Sequence, residues 1–177
     1  LKLTSYQPVL TVAVTLGNPC GNEGDCLTPD YYNDFGTLDG DDELWDNNYR
    51  AGTDTTYRRL SQRSNHDNAT ITSHNGMWSS AIAHIDCRMG RDVDNNTGKS
   101  IEIRLIRADN SVIESQELVP TEDVLNLPIT EDQNVAVMRS VSFSSVEIPD
   151  RIVIFGAHNG FSGVGSLRTF DIGVYYV

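Results

Sequence analysis

Between Asp92 and Glu102 the chain reads Asp-Val-Asp-Asn-Asn-Thr-Gly-Lys-Ser-Ile-Glu, which places Asp92, Asp94 and Asn96 at alternate positions with Glu102 just beyond. Calcium takes roughly six to eight oxygen ligands, and alternating Asp and Asn with a nearby glycine lets one short loop wrap the ion. Against an EF-hand, the glycine comes one residue late and the closing acid one residue early, and no flanking helices are expected. A calcium loop here is therefore of a β-sandwich kind, with Asp92, Asp94, Asn96 and Glu102 as its ligands. The simplest competing reading is a plain polar turn, since Asp, Asn and Gly favour turns for backbone reasons alone. A third is an N-linked glycan at Asn95, which would keep that side chain out of any metal shell.

A second cluster is Asp39-Gly-Asp41-Asp42-Glu43 next to Trp45, with Tyr49 four residues on. Aromatic rings beside Asp and Asn are the residue types that stack on and hydrogen-bond a sugar. This nominates Trp45, Tyr49, Asp41, Asp42 and Trp78 as carbohydrate-binding residues. The competing reading buries the same rings in a core, and lets the four acids be solvated or paired with arginines.

Catalytic patterns are weak. His66, His74, His84 and His158 show no metalloprotease spacing, and no GxSxG elbow occurs. His84 and Cys87 are three apart, which on a strand puts them on opposite faces and rules out a dyad. Paired carboxylates for glycoside hydrolysis are the residual enzymatic alternative, because acids abound. The Gly-rich run from Gly156 to Gly165 lacks a phosphate-loop lysine.

The elements that must position these residues are strands. Met77 to Arg107 reads as two alternating strands joined by the Asp92–Lys99 loop, a hairpin. Ala81, Ala83, Ile85 and Cys87 share the apolar face, while Trp78, His84 and Asp86 share the polar one. Ser100–Arg107 and Ser111–Val119 flank an Ala-Asp-Asn turn and form a further hairpin. Tyr6–Leu16, Thr55–Gln62, Asn68–Ser73, Val135–Ser144, Arg151–Ala157 and Thr169–Tyr176 complete the set. Arg151–Ala157 is nearly all apolar and reads as central, whereas Arg139 interrupts its strand as an edge or a site would. Pro120–Gln133 has room for one helical turn. No stretch keeps helical apolar spacing. The expected fold is all-β, a single antiparallel β-sandwich domain over residues 1–177, with jelly-roll and immunoglobulin-like connections not separable.

Residues 20–54 carry ten acids and one base, and residues 55–107 carry eight bases and five acids, within a chain of net charge −12. The acidic segment also holds Tyr31, Tyr32, Phe35, Trp45 and Tyr49, which suits an ordered excursion rather than a disordered tail. A nucleic-acid backbone would be repelled. No run approaches the roughly 18 apolar residues of a membrane span. Leu1 at the start is the expectation for a product freed of a secretory leader, and sequons at Asn68 and Asn95 agree with that route. Cys20 and Cys26 are spaced to close a small disulfide loop, leaving Cys87 as a buried free thiol or as the true partner of one of them. The function implied is a secreted, lectin-like binding module without catalysis, with calcium as its one candidate cofactor. The alternative is an extracellular structural, storage or carrier subunit that self-associates.

Overall fold

The computed structural model describes residues 28–35, 45–47, 58–61, 69–91, 100–156 and 166–177. Ten strands occur among them: β1 (Tyr31–Asp34), β2 (Trp45–Asn47), β3 (Arg58–Ser61), β4 (Ala69–Ser73), β5 (Ile82–Arg91), β6 (Ile101–Ile106), β7 (Val112–Val119), β8 (Val137–Ser142), β9 (Arg151–Gly156) and β10 (Ser166–Tyr176). Sheet I runs β1-β10-β5-β8, with β3 pairing the other half of the same edge of β10. Sheet II runs β2-β4-β9-β6-β7. All strand pairings are antiparallel.

The pairings are nested. β6 pairs β7, β5 pairs β8, β4 pairs β9 and β3 pairs β10. The chain is thus one long hairpin rolled into two sheets, and every strand connection except β6–β7 passes from one sheet to the other. That wiring is a jelly roll, which the sequence left undivided from the immunoglobulin-like alternative. The tip of the roll is the turn Ala108–Asn110, where Arg107 and Ser111 pair through Arg107 N–H to Ser111 O at 2.9 Å and Asn110 sits at φ 69°. Asn tolerates that left-handed conformation better than other non-glycine residues.

Apolar alternation decides which faces meet. Ile85, Cys87, Met89, Ile172 and Val174 of sheet I pack against Ile71, Ile101, Ile103, Leu105, Ile152 and Ile154 of sheet II, all fully buried. At the edge where β1 faces β2, the gap is filled by rings: Tyr31 meets Trp78 edge-on at 5.2 Å and Phe35 meets Trp45 at 5.4 Å. At the opposite edge, Glu114 on β7 accepts the Ser144 and Ser145 N–H groups of the β8–β9 crossover at 3.0 and 2.9 Å.

Several expectations hold. β9 is central, β8 with Arg139 is the edge of sheet I, β6 and β7 form a hairpin, and a 3-10 turn spans Thr121–Asn126. Cys87 is buried and free. The Met77–Arg107 hairpin is corrected: β5 belongs to sheet I and β6 to sheet II, so the two strands do not pair with each other. The polar-face placement of Trp78 also fails, because the strand begins only at Ile82 and both Ala81 and Ile82 are buried, which breaks period two before Trp78 is reached. The Tyr6–Leu16 strand, Cys20, Cys26, Asn68 and Asn95 lie outside the described residues.

Gly90 lets the 128–132 segment lie on the outer face of sheet I. A methyl there would stand 3.0 Å from Thr130 Cγ2 and 3.2 Å from the Phe170 ring. Gly90→Ala is expected to cost about 1–3 kcal/mol through overpacking, read as a lower urea midpoint at unchanged slope.

Candidate functional site

The outward face of sheet I holds what the sequence motifs did not indicate. Strand register sets side by side His84 with Tyr175 and Ser142, Asp86 with Gly173 and Ser140, and Arg88 with Asp171. On the next strand Tyr32 lies opposite Gly173 and Asp34 opposite Asp171. A face turned away from the core ordinarily carries solvated side chains, yet Asp86 is 5 % and Asp171 2 % exposed.

Each buried carboxylate organises its neighbours. Asp86 Oδ1 lies 2.7 Å from His84 Nε2 and accepts the Ser140 hydroxyl at 2.5 Å, while Oδ2 accepts the Tyr175 hydroxyl at 3.0 Å. The other ring nitrogen of His84 meets the exposed Ser142 hydroxyl at 3.1 Å. Asp171 Oδ2 is ion-paired with Arg88 Nε at 3.1 Å, and accepts the Gln133 amide at 3.2 Å and the Tyr32 hydroxyl at 3.4 Å. Tyr32 is nonetheless 50 % exposed, so its ring reaches solvent while its hydroxyl is held. At the far end of the face Arg168 donates to Thr130 O at 2.7 Å and to Glu131 at 2.8 Å.

These environments push the two carboxyls in opposite directions. Burial raises Asp86, but hydrogen bonds from His84 and Ser140, the His84 charge and the Tyr175 hydroxyl outweigh it and leave the group below its ordinary value. Burial dominates at Asp171 and raises it despite Arg88 and Tyr32. Burial and the adjoining carboxylates push Tyr32 and Tyr175 each up to about 12, so both remain neutral donors.

The order Ser142–His84–Asp86 is that of a hydroxyl, its base and the base's orienter. Acyl transfer also needs fixed donors aimed at the developing oxyanion. Strand N–H groups point along the sheet rather than out of it, so the backbone of β8 offers none toward Ser142 Oγ. The relay holds side chains in place.

The residues nominated from sequence are distributed differently. Trp45 and Trp78 are 3 % and 5 % exposed, with indole N–H groups donating to Tyr31 Oη at 2.8 Å and Ser73 Oγ at 3.0 Å. Both rings are edge-sealing core, and neither presents a face to a sugar. Glu102 stands on the outer face of sheet II, where it already holds Arg104 Nη2 at 2.8 Å and the Ser115 hydroxyl at 3.0 Å, and Arg104 stacks 3.5 Å over the Phe155 ring. Asp41, Asp42, Tyr49, Asp92, Asp94 and Asn96 lie outside the described residues. Among the described residues no group of three or more His, Cys, Asp or Glu is arranged to hold a metal ion, and no helix is long and apolar enough to cross a membrane. His84 and Asp86 were visible as polar positions of one strand. Their partnership with Ser140, Ser142 and Tyr175 was not, because those partners lie more than fifty residues away.

No family model and no curated protein matches this chain. Among solved structures it is similar to the lectin domain of lectinolysin complexed with Lewis b antigen, at 12 % identity over 67 % of this chain and 72 % of that one, TM-score 0.43. It is also similar to a Streptococcus pneumoniae fucose binding module, at 10 % identity over 67 % and 70 %, TM-score 0.41. A third is CsCBM6-3 from Clostridium stercorarium in complex with cellobiose, at 9 % identity over 73 % and 89 %, TM-score 0.38. Likenesses this distant assign no ligand.

Asp86 carries a definite pH signature. Its folded pKa lies below the unfolded one, so its contribution is present above the ordinary carboxylate range and is lost as pH falls through the folded value. Asp171, raised, has the opposite sign and adds stability toward acid. Asp86→Asn is expected to cost about 1–3 kcal/mol at neutral pH, with the gap to wild type closing as pH is lowered below the ordinary carboxylate range. Urea unfolding across that range checks it, and a constant gap contradicts it.

Proposed function

We propose that this chain is a non-enzymatic carbohydrate-binding module that works outside the cell and receives its ligand on the outward face of sheet I. The observation that carries the reading is the pair of buried, outward-facing carboxylates that hold His84, Arg88, Tyr175, Ser140 and Gln133 beside the half-exposed Tyr32 ring. A saccharide presents directional hydroxyls around an apolar ring face, and a flat aromatic beside pre-fixed donors and acceptors matches both. Groups already held in place lose little conformational freedom on binding.

The charge of the face favours neutral sugars over sulfated or carboxylated ones. Arg88 and Arg168 are each paired with a carboxylate, and Asp34, Asp86, Asp171 and Glu131 outnumber them. The non-catalytic reading is supported by the same contacts. Glycoside hydrolysis needs an accessible acid and an accessible base or nucleophile, whereas both oxygens of Asp86 and Oδ2 of Asp171 are occupied by internal partners. The extracellular setting is supported by the Asn68 and Asn95 sequons.

A glycan array carrying neutral and acidic saccharides tests the reading, with a chelator arm that reports separately on the Asp92–Glu102 loop. Neutral glycans are expected to bind. Tyr32→Ala should weaken the best of them about tenfold or more with a cooperative melting transition retained, and Arg88→Ala should weaken them as well but melt at a lower temperature, because it leaves Asp171 without its ion pair. An array on which the wild-type protein binds nothing sinks the proposal.

A further inference from the structure

The geometry points to His84 as a proton-controlled selector that reverses the hydrogen-bond polarity Ser142 presents to a saccharide; this rests on the carbohydrate reading of the same face. The groups facing His84 are Asp86 on its own strand, Ser140 and Ser142 on β8, and Tyr175 on β10, whose ring centre is 5.4 Å from the imidazole. Arg88, the next cation on that side of β5, is turned to Asp171.

Donor and acceptor accounting then allows one arrangement in each protonation state. An ionised carboxylate only accepts. Asp86 receives protons from Ser140 and Tyr175 and lies 2.7 Å from His84 Nε2, so Nε2 carries its hydrogen whether the imidazole is neutral or charged. With neutral His84, Nδ1 is a lone pair and must accept the Ser142 hydroxyl hydrogen across the 3.1 Å contact. Ser142 then offers a ligand lone pairs only. When the imidazole gains a proton, Nδ1–H donates to Ser142 Oγ, and the serine hydrogen is released to turn outward. Ser142 is exposed, so what it offers is met directly by ligand or water.

A sugar hydroxyl can rotate to suit either state. An ether oxygen cannot, because it only accepts, whereas an acetamido group suits both states through its N–H and its carbonyl. Protonation of His84 therefore favours O-methylated sugars at this position and leaves free hydroxyl and acetamido contacts nearly unchanged.

The test joins two measurements on the intact chain. Long-range imidazole 15N spectra assign the neutral tautomer of His84, expected as Nε2–H; a neutral Nδ1–H form overturns the inference. Arrays of O-methylated and plain hexose glycans are then read at about pH 5 and about pH 8. The preference for O-methylated sugars is expected to rise about tenfold at the lower pH, one hydrogen bond's worth, and to stay flat in Ser142→Ala. A wild-type preference that ignores pH, or a shift that survives in Ser142→Ala, overturns the inference while leaving carbohydrate binding standing. Silence at both pH values removes the carbohydrate reading and this inference with it. The imidazole spectrum of Ser142→Ala, unchanged at Nε2, verifies that the variant keeps its fold.

Discussion

The nested antiparallel pairing around the β6–β7 turn is the constraint on which the other features rest. Once that hairpin closes, β5 must meet β8, β4 must meet β9 and β3 must meet β10. The connections then carry successive strands to alternate sheets. β10 ends as an interior strand of sheet I, flanked by β5 on one side and by β1 and β3 on the other. Residues from Leu167 to Val174 are buried on both of its faces. An acid in that run cannot be solvated, so it needs partners. Asp171 draws Arg88, Gln133 and Tyr32 to itself for that reason, and Asp86 on the neighbouring strand does the same with His84, Ser140 and Tyr175.

Buried carboxylates of this kind are poor sources of stability, because desolvation offsets most of what their partners return. Their consequence is positional. Six side chains that would otherwise sample several rotamers are tied to two fixed acceptors on rigid strands. The opposite displacements of the two carboxyl pKa values reflect how well each is supplied: three hydrogen bonds at Asp86 overcome burial, and the contacts at Asp171 do not. The result is a shelf of fixed side chains beside the half-exposed Tyr32 ring.

The aromatic residues show how the same types serve two ends. Tyr31 and Tyr32 are adjacent, yet strand alternation sends Tyr31 into the ring cluster with Trp45 and Trp78 and sends Tyr32 outward to Asp171. The indoles close an open sandwich edge and spend their N–H groups on Tyr31 and Ser73. Of the rings nominated from sequence for stacking, Trp45 and Trp78 are buried, and the ring left exposed here is Tyr32.

The amino-acid sequence by itself determined the class of fold, because period-two alternation and turn residues report local geometry directly. It placed β9 at a sheet centre from its unbroken apolar run, marked Arg139 on β8 as an edge or a site, and placed the hairpin at Ala108–Asn110 from turn chemistry. It also separated His84 from Cys87 by face. Pairing across long separations was beyond its reach: alternation tells which way a side chain points but not which strand lies beside it. That is why the Met77–Arg107 stretch read as a hairpin when its two strands belong to opposite sheets, and why Trp78, just outside the strand, was given the wrong face. Tertiary structure alone decided that Asp86 meets Ser140 and Tyr175 and that Asp171 meets Arg88, since only the closing of the roll brings residues 54 to 89 positions apart within hydrogen-bond distance.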